Sequence, residues 1–138
     1  MSGDAREPPD VRVVREMYEA FNRGDYETST AMLHDDVELH QAEAIVDADT
    51  YVGRQDFVRG LTRWVSGFEP GFQYAVEELI DAPGGVFMRC LMRGRGRASG
   101  VDLEQRIFNV WEVRDGKPFR LRVFFREDEA RRAAGLDP

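Results

Sequence analysis

The second half of the chain consists of long strands separated by short turns, and this pattern restricts the fold more than any other feature. Alternating apolar and polar residues predict strands at residues 72–80, 86–97, 101–114 and 119–126. Short turns at residues 82–85, 99–100 and 115–116 connect them, and Asp115-Gly116 is the strongest hairpin signal. Because short turns join antiparallel neighbours, the segment predicts one antiparallel sheet.

The first half predicts three helices and one short strand. The first helix is expected to start with Asp10 as its N-cap and to end at Gly24. Asp25 is predicted to cap a second helix through about residue 33, in which Tyr26 is buried. A strand at residues 37–41, a loop at 42–52, a third helix from about Arg54 and a short terminal helix at 128–134 complete the prediction.

These elements predict an α+β fold, a cone-shaped curved antiparallel sheet with three helices on its concave face. A cone of this kind can enclose a small molecule. Residues 10–136 are expected to form a single domain, preceded by a disordered leader at residues 1–9.

Composition narrows the classes of partner. The net charge of −7 opposes binding to a phosphate backbone, so we expect no nucleic acid partner. No segment approaches the roughly 18 apolar residues of a membrane span, and the charged N-terminus is no signal peptide, so we expect a cytoplasmic protein without a membrane partner. Two histidines and the single cysteine, Cys90, show no metal-ligand spacing, so we expect neither metal nor cofactor, and Cys90 is expected to be buried.

Alternation assigns the side chains of strand 101–114 to two faces. Asn109 and Trp111 share a face with Ile107 and Val113, whereas Phe108 and Val110 point the other way. We expect the face that carries Asn109 and Trp111 to look into the cone. Apolar side chains on the outer face need a cover, so we predict a homodimer that packs through the convex sheet face.

The two neighbouring strands divide in the same way. On strand 86–97, a face of Met88, Cys90 and Met92 is expected inside, and four arginines at residues 89, 93, 95 and 97 outside. We expect these arginines to pair with Asp102, Glu104 and Glu112. On strand 72–80, a single face is predicted for Phe72, Tyr74, Val76 and Glu78.

Three local stretches resemble one known superfamily. They are YEAFNRGD at residues 18–25, LHDDVE at 33–38 and VWEVRDGK at 110–117. With the tail EARRAAGL at 129–136, they are similar to SnoaL-like proteins of the nuclear transport factor 2-like (NTF2-like) superfamily. The resemblance implies a cystatin-like α+β barrel. Members include polyketide cyclases, ketosteroid isomerases, epoxide hydrolases, dehydratases and non-catalytic binders, so the resemblance leaves the activity open.

The catalytic plan of the isomerases transfers only in part. The position of their general base falls at Gln41, which cannot take a proton, and that of their tyrosine donor falls at Met17. Tyr18 is adjacent, but a helical step of about 100° is expected to turn it elsewhere. Their second donor falls at Asn109, which either is satisfied structurally or binds a ligand. The aspartate pair of the epoxide hydrolases has no inward-facing counterpart.

Two histidines remain. His40 lies near the expected pocket mouth and can serve as acid or base. Strict alternation turns it away with Glu38, and a bulge would bring it inward. His34 ends the second helix, where a structural role is expected.

Three functions remain open at this stage. The first is a cofactor-independent isomerase, cyclase or dehydratase that uses acid–base chemistry on a ketone or polyketide-like substrate. The second is a non-catalytic binder of a small apolar molecule, and the third is a dimerising scaffold. The candidate catalytic residues are His40, Asn109, Tyr18 and Gln41. The candidate ligand-binding residues are Met17, Phe21, Phe57, Leu61, Trp64, Met88 and Trp111.

Overall fold

The computed structural model describes residues 7–40 and 50–137. Its helices are α1 (Pro9–Asn22), α2 (Tyr26–Ala31), α3 (Arg54–Ser66) and α4 (Glu127–Ala134). Its strands are β1 (Glu38–His40), β2 (Thr50–Val52), β3 (Gln73–Ala82), β4 (Gly85–Arg95), β5 (Asp102–Arg114) and β6 (Lys117–Phe124). The four long strands and the four helices confirm the predicted elements. β2 is an additional strand, because residues 42–52 were expected to form a loop; residues 41–49 of that region lie outside the described part.

The strands form one curved mixed sheet in the order β2-β1-β6-β5-β4-β3, which confirms the α+β class. All neighbouring strands pair antiparallel except β1 and β6, which are parallel. The main core lies between one face of the sheet and α1, α2 and α3. The short α4 packs on the opposite face. No helix within the described residues is long and apolar enough to cross a membrane.

The corner between α1 and α2 follows from local sequence. Gly24 has a φ of 86°, which glycine adopts without steric cost and which ends α1 as predicted. The Asp25 side chain accepts a hydrogen bond from the Thr28 N–H and caps α2. The start of α1 differs from expectation. The N-cap of α1 is Pro8, and Asp10 lies in the first turn, where its charge suits the helix dipole.

Two expectations for the N-terminal third of the chain concern the burial of Tyr26 and the leader at residues 1–9. Tyr26, expected to be buried, is 41% exposed, and as the first residue of α2 it contacts Phe21 with its ring. Of the predicted leader, residues 1–6 lie outside the described part. Within residues 7–9, Glu7 already pairs with Arg15, and Pro9 begins α1.

A β-bulge in β3 changes which residues face the core. Val76 pairs with Cys90, but Glu78 pairs with Arg89, so Glu77 is an extra residue between them. Before the bulge, Tyr74 and Val76 pack into the main core. Beyond it, the Glu78 side chain lies on the convex face, where it accepts a hydrogen bond from Arg89. The prediction that Glu78 shares a face with Tyr74 was therefore wrong.

The convex face is covered by the chain itself. Ala130 and Ala134 of α4 pack against Phe87, Phe108 and Val110, each of which is at most 7% exposed. The predicted homodimer was argued from the need to cover this apolar surface. Because α4 already covers this surface, the apolar outer face no longer argues for a dimer. Dimerisation stays a prediction.

Beside α4 the convex face carries ion pairs. Arg93 pairs with Glu104 and Arg95 with Asp102, as the strand register predicts. Glu112 instead pairs with Arg120 of β6, with 3.1 Å between Oε2 and Nη1. Glu112 lies opposite Arg120 in the β5–β6 register, so this neighbour is closer than any arginine of β4.

Candidate functional site

A cavity of about 710 Å³ lies between the concave face of the sheet and the three helices that cover it. Its wall is mostly aromatic and aliphatic. Phe57 of α3 packs against Trp111 of β5 with ring centroids 6.2 Å apart, and Phe21 of α1 packs against Tyr74 of β3 at 5.1 Å. Helix α3 therefore closes the cavity on the side opposite β5.

A small polar cluster is buried in this apolar wall. Trp111 Nε1 donates a hydrogen bond to the Tyr18 hydroxyl oxygen at 2.9 Å, and Asn109 Nδ2 donates to the same oxygen at 3.4 Å. Trp111 and Asn109 are alternate residues of β5, so both point inward as predicted, and each is at most 2% exposed. We call Tyr18, Asn109 and Trp111 the polar cluster.

The polar cluster is incompletely satisfied. A tyrosine hydroxyl has one proton and two acceptor positions, and here both acceptor positions are used. Its proton is therefore the part left to donate. The Asn109 Oδ1 atom is buried and has no hydrogen-bond partner among the described residues. The cluster thus holds one hydroxyl proton and one carbonyl oxygen without a partner in the described part of the chain, in the wall of the cavity that its residues line.

Burial determines the protonation of the cavity's hydroxyl groups. Desolvation raises the pKa of Tyr18 far above its ordinary value, and the hydrogen bonds from Trp111 and Asn109 only partly oppose this. Desolvation likewise raises the pKa of Tyr74. Both phenols are therefore protonated at neutral pH, so each can donate a hydrogen bond and neither is a base.

The thiol of Cys90 behaves similarly. Cys90 is fully buried, and burial raises its pKa to about 12. The thiol is consequently neutral at neutral pH, in agreement with its prediction as a buried apolar residue.

The comparisons with known proteins agree with this geometry. Residues 14–120 match the family model of the SnoaL-like domain. The chain belongs to the SnoaL-like domain family. No curated protein sequence matches it.

Solved structures resemble this SnoaL-like domain over nearly its whole length. An NTF2-like protein from Burkholderia thailandensis is 25% identical with a TM-score of 0.72, and the match covers 91% of this chain and 95% of that one. TerC, crystallised with polyporic acid, is 20% identical with a TM-score of 0.72 over 93% and 99% of the two chains. A protein from Catenulispora acidiphila with a ketosteroid isomerase-like fold, in complex with trimethylamine, is 13% identical with a TM-score of 0.69 over 90% and 92%. The last two show the shared fold alone.

The structure brings most of the predicted site residues of the SnoaL-like domain to the cavity. Those that line it are Met17, Tyr18, Phe21, Phe57, Leu61, Trp64, Asn109 and Trp111. Tyr18 was expected to turn elsewhere, but Met17 and Tyr18, two successive residues of α1, both line the cavity. Met88 is fully buried yet does not line the cavity. It lies beside Asn109 in the β4–β5 register, within the packed core.

One predicted catalytic residue, His40, does not line the cavity. Leu39 of β1 lines the cavity, whereas its neighbours His40 and Glu38 do not. These two side chains contact each other instead, with His40 Nε2 2.7 Å from Glu38 Oε1. β1 keeps an unbroken register with β6, so no bulge turns His40 inward. Gln41 lies outside the described residues. His34 accepts a hydrogen bond from the Asp36 N–H through Nδ1, which fits its predicted structural role.

Several residues that line the cavity were not among the predicted site residues, and three of them, Tyr74, Tyr51 and Arg63, bear on its chemistry or shape. Tyr74 lies on the inner face of β3 and lines the cavity. Alternation placed it on one face with Phe72 and Val76 but gave no reason to select it as a site residue. Tyr51 lies in the segment expected to be a loop. Its ring packs directly on Gly60, where an added Cβ would come within 2.9 Å of the Tyr51 Cζ atom. Arg63 lies one helical step before Trp64, at the edge of the apolar stripe, where sequence gave no reason to select it.

No group of three or more histidine, cysteine, aspartate or glutamate side chains within residues 7–40 and 50–137 is arranged to hold a metal ion.

Proposed function

We propose that this SnoaL-like domain binds a small, largely apolar molecule in its cavity and holds one oxygen-bearing group of that molecule against the polar cluster. The unpartnered Asn109 Oδ1 supports this proposal most directly. A buried acceptor without a partner costs about 1–3 kcal/mol, and a ligand that donates to it would recover that cost. An apolar pocket with a few convergent polar groups is the usual form of a small-molecule site.

The polar cluster restricts the chemistry of the ligand's buried end. Tyr18 offers a proton and Asn109 offers an acceptor, so one ligand group that both accepts and donates would satisfy both. A hydroxyl or an enol has this property. The group should be neutral, because no cationic side chain is buried beside the cluster in the described part. Two proteins of this fold are known with small molecules, polyporic acid and trimethylamine, which is compatible with such a role.

Three probes of nearly equal shape test the proposal. Thermal unfolding is followed with diphenylmethanol, benzophenone and diphenylmethane, which differ in hydrogen-bonding capacity at one carbon. We expect the alcohol to bind most tightly and the hydrocarbon least. A ligand at 100 times its dissociation constant stabilises the folded state by about 2.7 kcal/mol. In Asn109→Leu, the preference for the alcohol over the ketone should disappear, because the acceptor is lost and the Tyr18 donor serves both oxygens equally.

A pair of variants on α3 locates the binding. Leu61→Trp places a large ring in the cavity, whereas Thr62→Trp places the same ring on the exposed side of the helix. We expect the first to abolish binding of all three probes and the second to leave it intact. Binding that persists in Leu61→Trp, or no binding of any probe to the unmodified chain, would contradict the proposal.

Acid–base catalysis is the second candidate function. Because two hydrogen bonds already reach the Tyr18 oxygen, its proton can be donated to a substrate carbonyl and stabilise the charge of an enolate. The described lining contains no aspartate, glutamate or histidine, so this part of the chain supplies a donor and no base. That imbalance is why binding is proposed first. A scaffold role is the least supported, since the centre of the domain is hollow.

Deuterium exchange distinguishes catalysis from binding. A bound aryl alkyl ketone such as propiophenone is incubated in heavy water, and deuterium uptake at its α-carbon is followed by NMR. An enolising enzyme should accelerate uptake, and Tyr18→Phe should slow it by about 10²–10³-fold, as for loss of one oxyanion donor. Uptake at the uncatalysed rate from a ketone that binds would leave binding as the function.

A further inference from the structure

Arg63 differs from the other arginines of the chain. Among the described residues it is the one arginine whose guanidinium makes no ion pair, hydrogen bond or aromatic contact. Most of the others pair with acidic neighbours, as Arg59 does with Asp56 at 3.1 Å. In a chain with 26 acidic and 19 basic residues, an arginine with no partner in the described part is unexpected.

Arg63 lies on the cavity side of α3. Gly60, Arg63, Trp64 and Gly67 follow the spacing i, i+3, i+4 and i+7, so they share one helical face, and all four line the cavity. Arg63 is also the one charged residue in the described lining. Its side chain is exposed, and its neighbour Trp64 is 43% exposed, which places both at the mouth.

The mouth and the polar cluster are well separated. Phe57 packs against Trp111 of the cluster, and Arg63 follows Phe57 by six residues on the same helix. At 1.5 Å per residue, this separation is about 9 Å along α3. A single ligand of two or three fused or linked rings spans such a distance, with one end at the cluster and the other at Arg63.

We infer that the ligand is an amphipathic acid, with an apolar body, a neutral oxygen at the polar cluster and an anionic group at Arg63. This inference rests on the proposed function and names the class of molecule that the same cavity takes. A guanidinium binds carboxylate, sulfonate or phosphate oxygens through paired N–H donors. At the mouth the anion keeps part of its hydration, which avoids the cost of burying a charge. Because the net charge of −7 repels anions in general, selection of an acid requires a local cation.

Two fluorescent probes that differ by a single anionic group test the inference. Anilinonaphthalenesulfonate and phenylnaphthylamine share one aromatic skeleton, and both brighten in apolar surroundings. Their dissociation constants are measured for the unmodified chain, for Arg63→Gln and for Arg59→Gln. The last variant removes the same charge from the same helix one turn away, at a residue that does not line the cavity.

The sulfonate should bind the unmodified chain about fivefold more tightly than the neutral amine, as expected for one partly exposed ion pair. The preference should vanish in Arg63→Gln, persist in Arg59→Gln and weaken with added salt. An equal preference in both variants, or none in the unmodified chain, overturns the inference. Binding of the neutral amine in that case still supports the proposed function. If neither probe binds, both proposals fall together.

Discussion

Asn109→Leu is expected to stabilise the ligand-free protein, although it replaces a buried hydrogen-bonding residue. Asn109 is 2% exposed, and its Oδ1 has no partner among the described residues. Leucine has a similar volume and no polar atoms, so the substitution removes the unsatisfied acceptor without adding a large void. Selection for binding would explain why the less stable residue is present.

The magnitude follows from two opposing contributions. Loss of the hydrogen bond from Asn109 Nδ2 to the Tyr18 oxygen costs little, about 0.5 kcal/mol, because the bond is long at 3.4 Å. Relief of the unpartnered carbonyl contributes about 1–3 kcal/mol in the other direction. The net gain is about 1 kcal/mol, which corresponds to a rise of about 4 °C in melting temperature for a chain of this size.

Asn22→Leu is the matched control. The Asn22 amide donates to the Tyr74 carbonyl oxygen at 2.7 Å and accepts from the Tyr74 N–H at 2.9 Å, so both of its polar atoms are paired. Its replacement should lower the free energy of unfolding by about 2 kcal/mol. Urea unfolding, with a check that the slope is unchanged, measures both variants. If Asn109→Leu destabilises the protein as much as Asn22→Leu does, Oδ1 is satisfied and the reasoning fails.

Three further predictions concern other parts of the molecule. Cys90 should not react with Ellman's reagent at pH 8 in the native state and should react fully in denaturant, because its pKa is about 12 and it is buried; a fast native reaction would show that the strand opens. The free energy of unfolding should fall as the pH drops below about 4.5, because the hydrogen bond with His40 lowers the pKa of Glu38 in the folded state. The Glu38 carboxylate therefore stabilises the fold above its ordinary pKa of 4.5, and this contribution is lost on protonation. Glu38→Gln should flatten the pH dependence in acid titrations of unfolding, and an unchanged slope would exclude Glu38 as its source. Ala130→Asp should destabilise the protein by about 3 kcal/mol in urea unfolding, because it places a carboxylate against Val110, whereas Glu129→Ala on the exposed side of α4 should change little; equal effects would mean that α4 does not cover the sheet.

The features that depend on short-range geometry could be predicted from the sequence. Gly24 ends α1 because its φ of 86° suits glycine, and Asp115-Gly116 forms the last hairpin with φ values of 54° and 73°. Alternation along β5 placed Asn109 and Trp111 inside the cone because successive side chains of a strand must point to opposite faces. Each of these outcomes is decided within a few residues of the chain.

Other features depend on where separate elements meet, and the tertiary structure decided them. The bulge at Glu77 exists only in the pairing of β3 with β4, and it reverses the faces beyond it. The packing of α1 on the sheet brings Tyr18 to the Trp111 indole, a contact that no helical periodicity specifies. The placement of α4 over Val110 is likewise a property of packing, and so is the exposure of Arg63 without an acidic partner among the described residues. Periodicity fixes the face of a strand or helix on which a side chain lies, but only the arrangement of the elements fixes what that side chain meets.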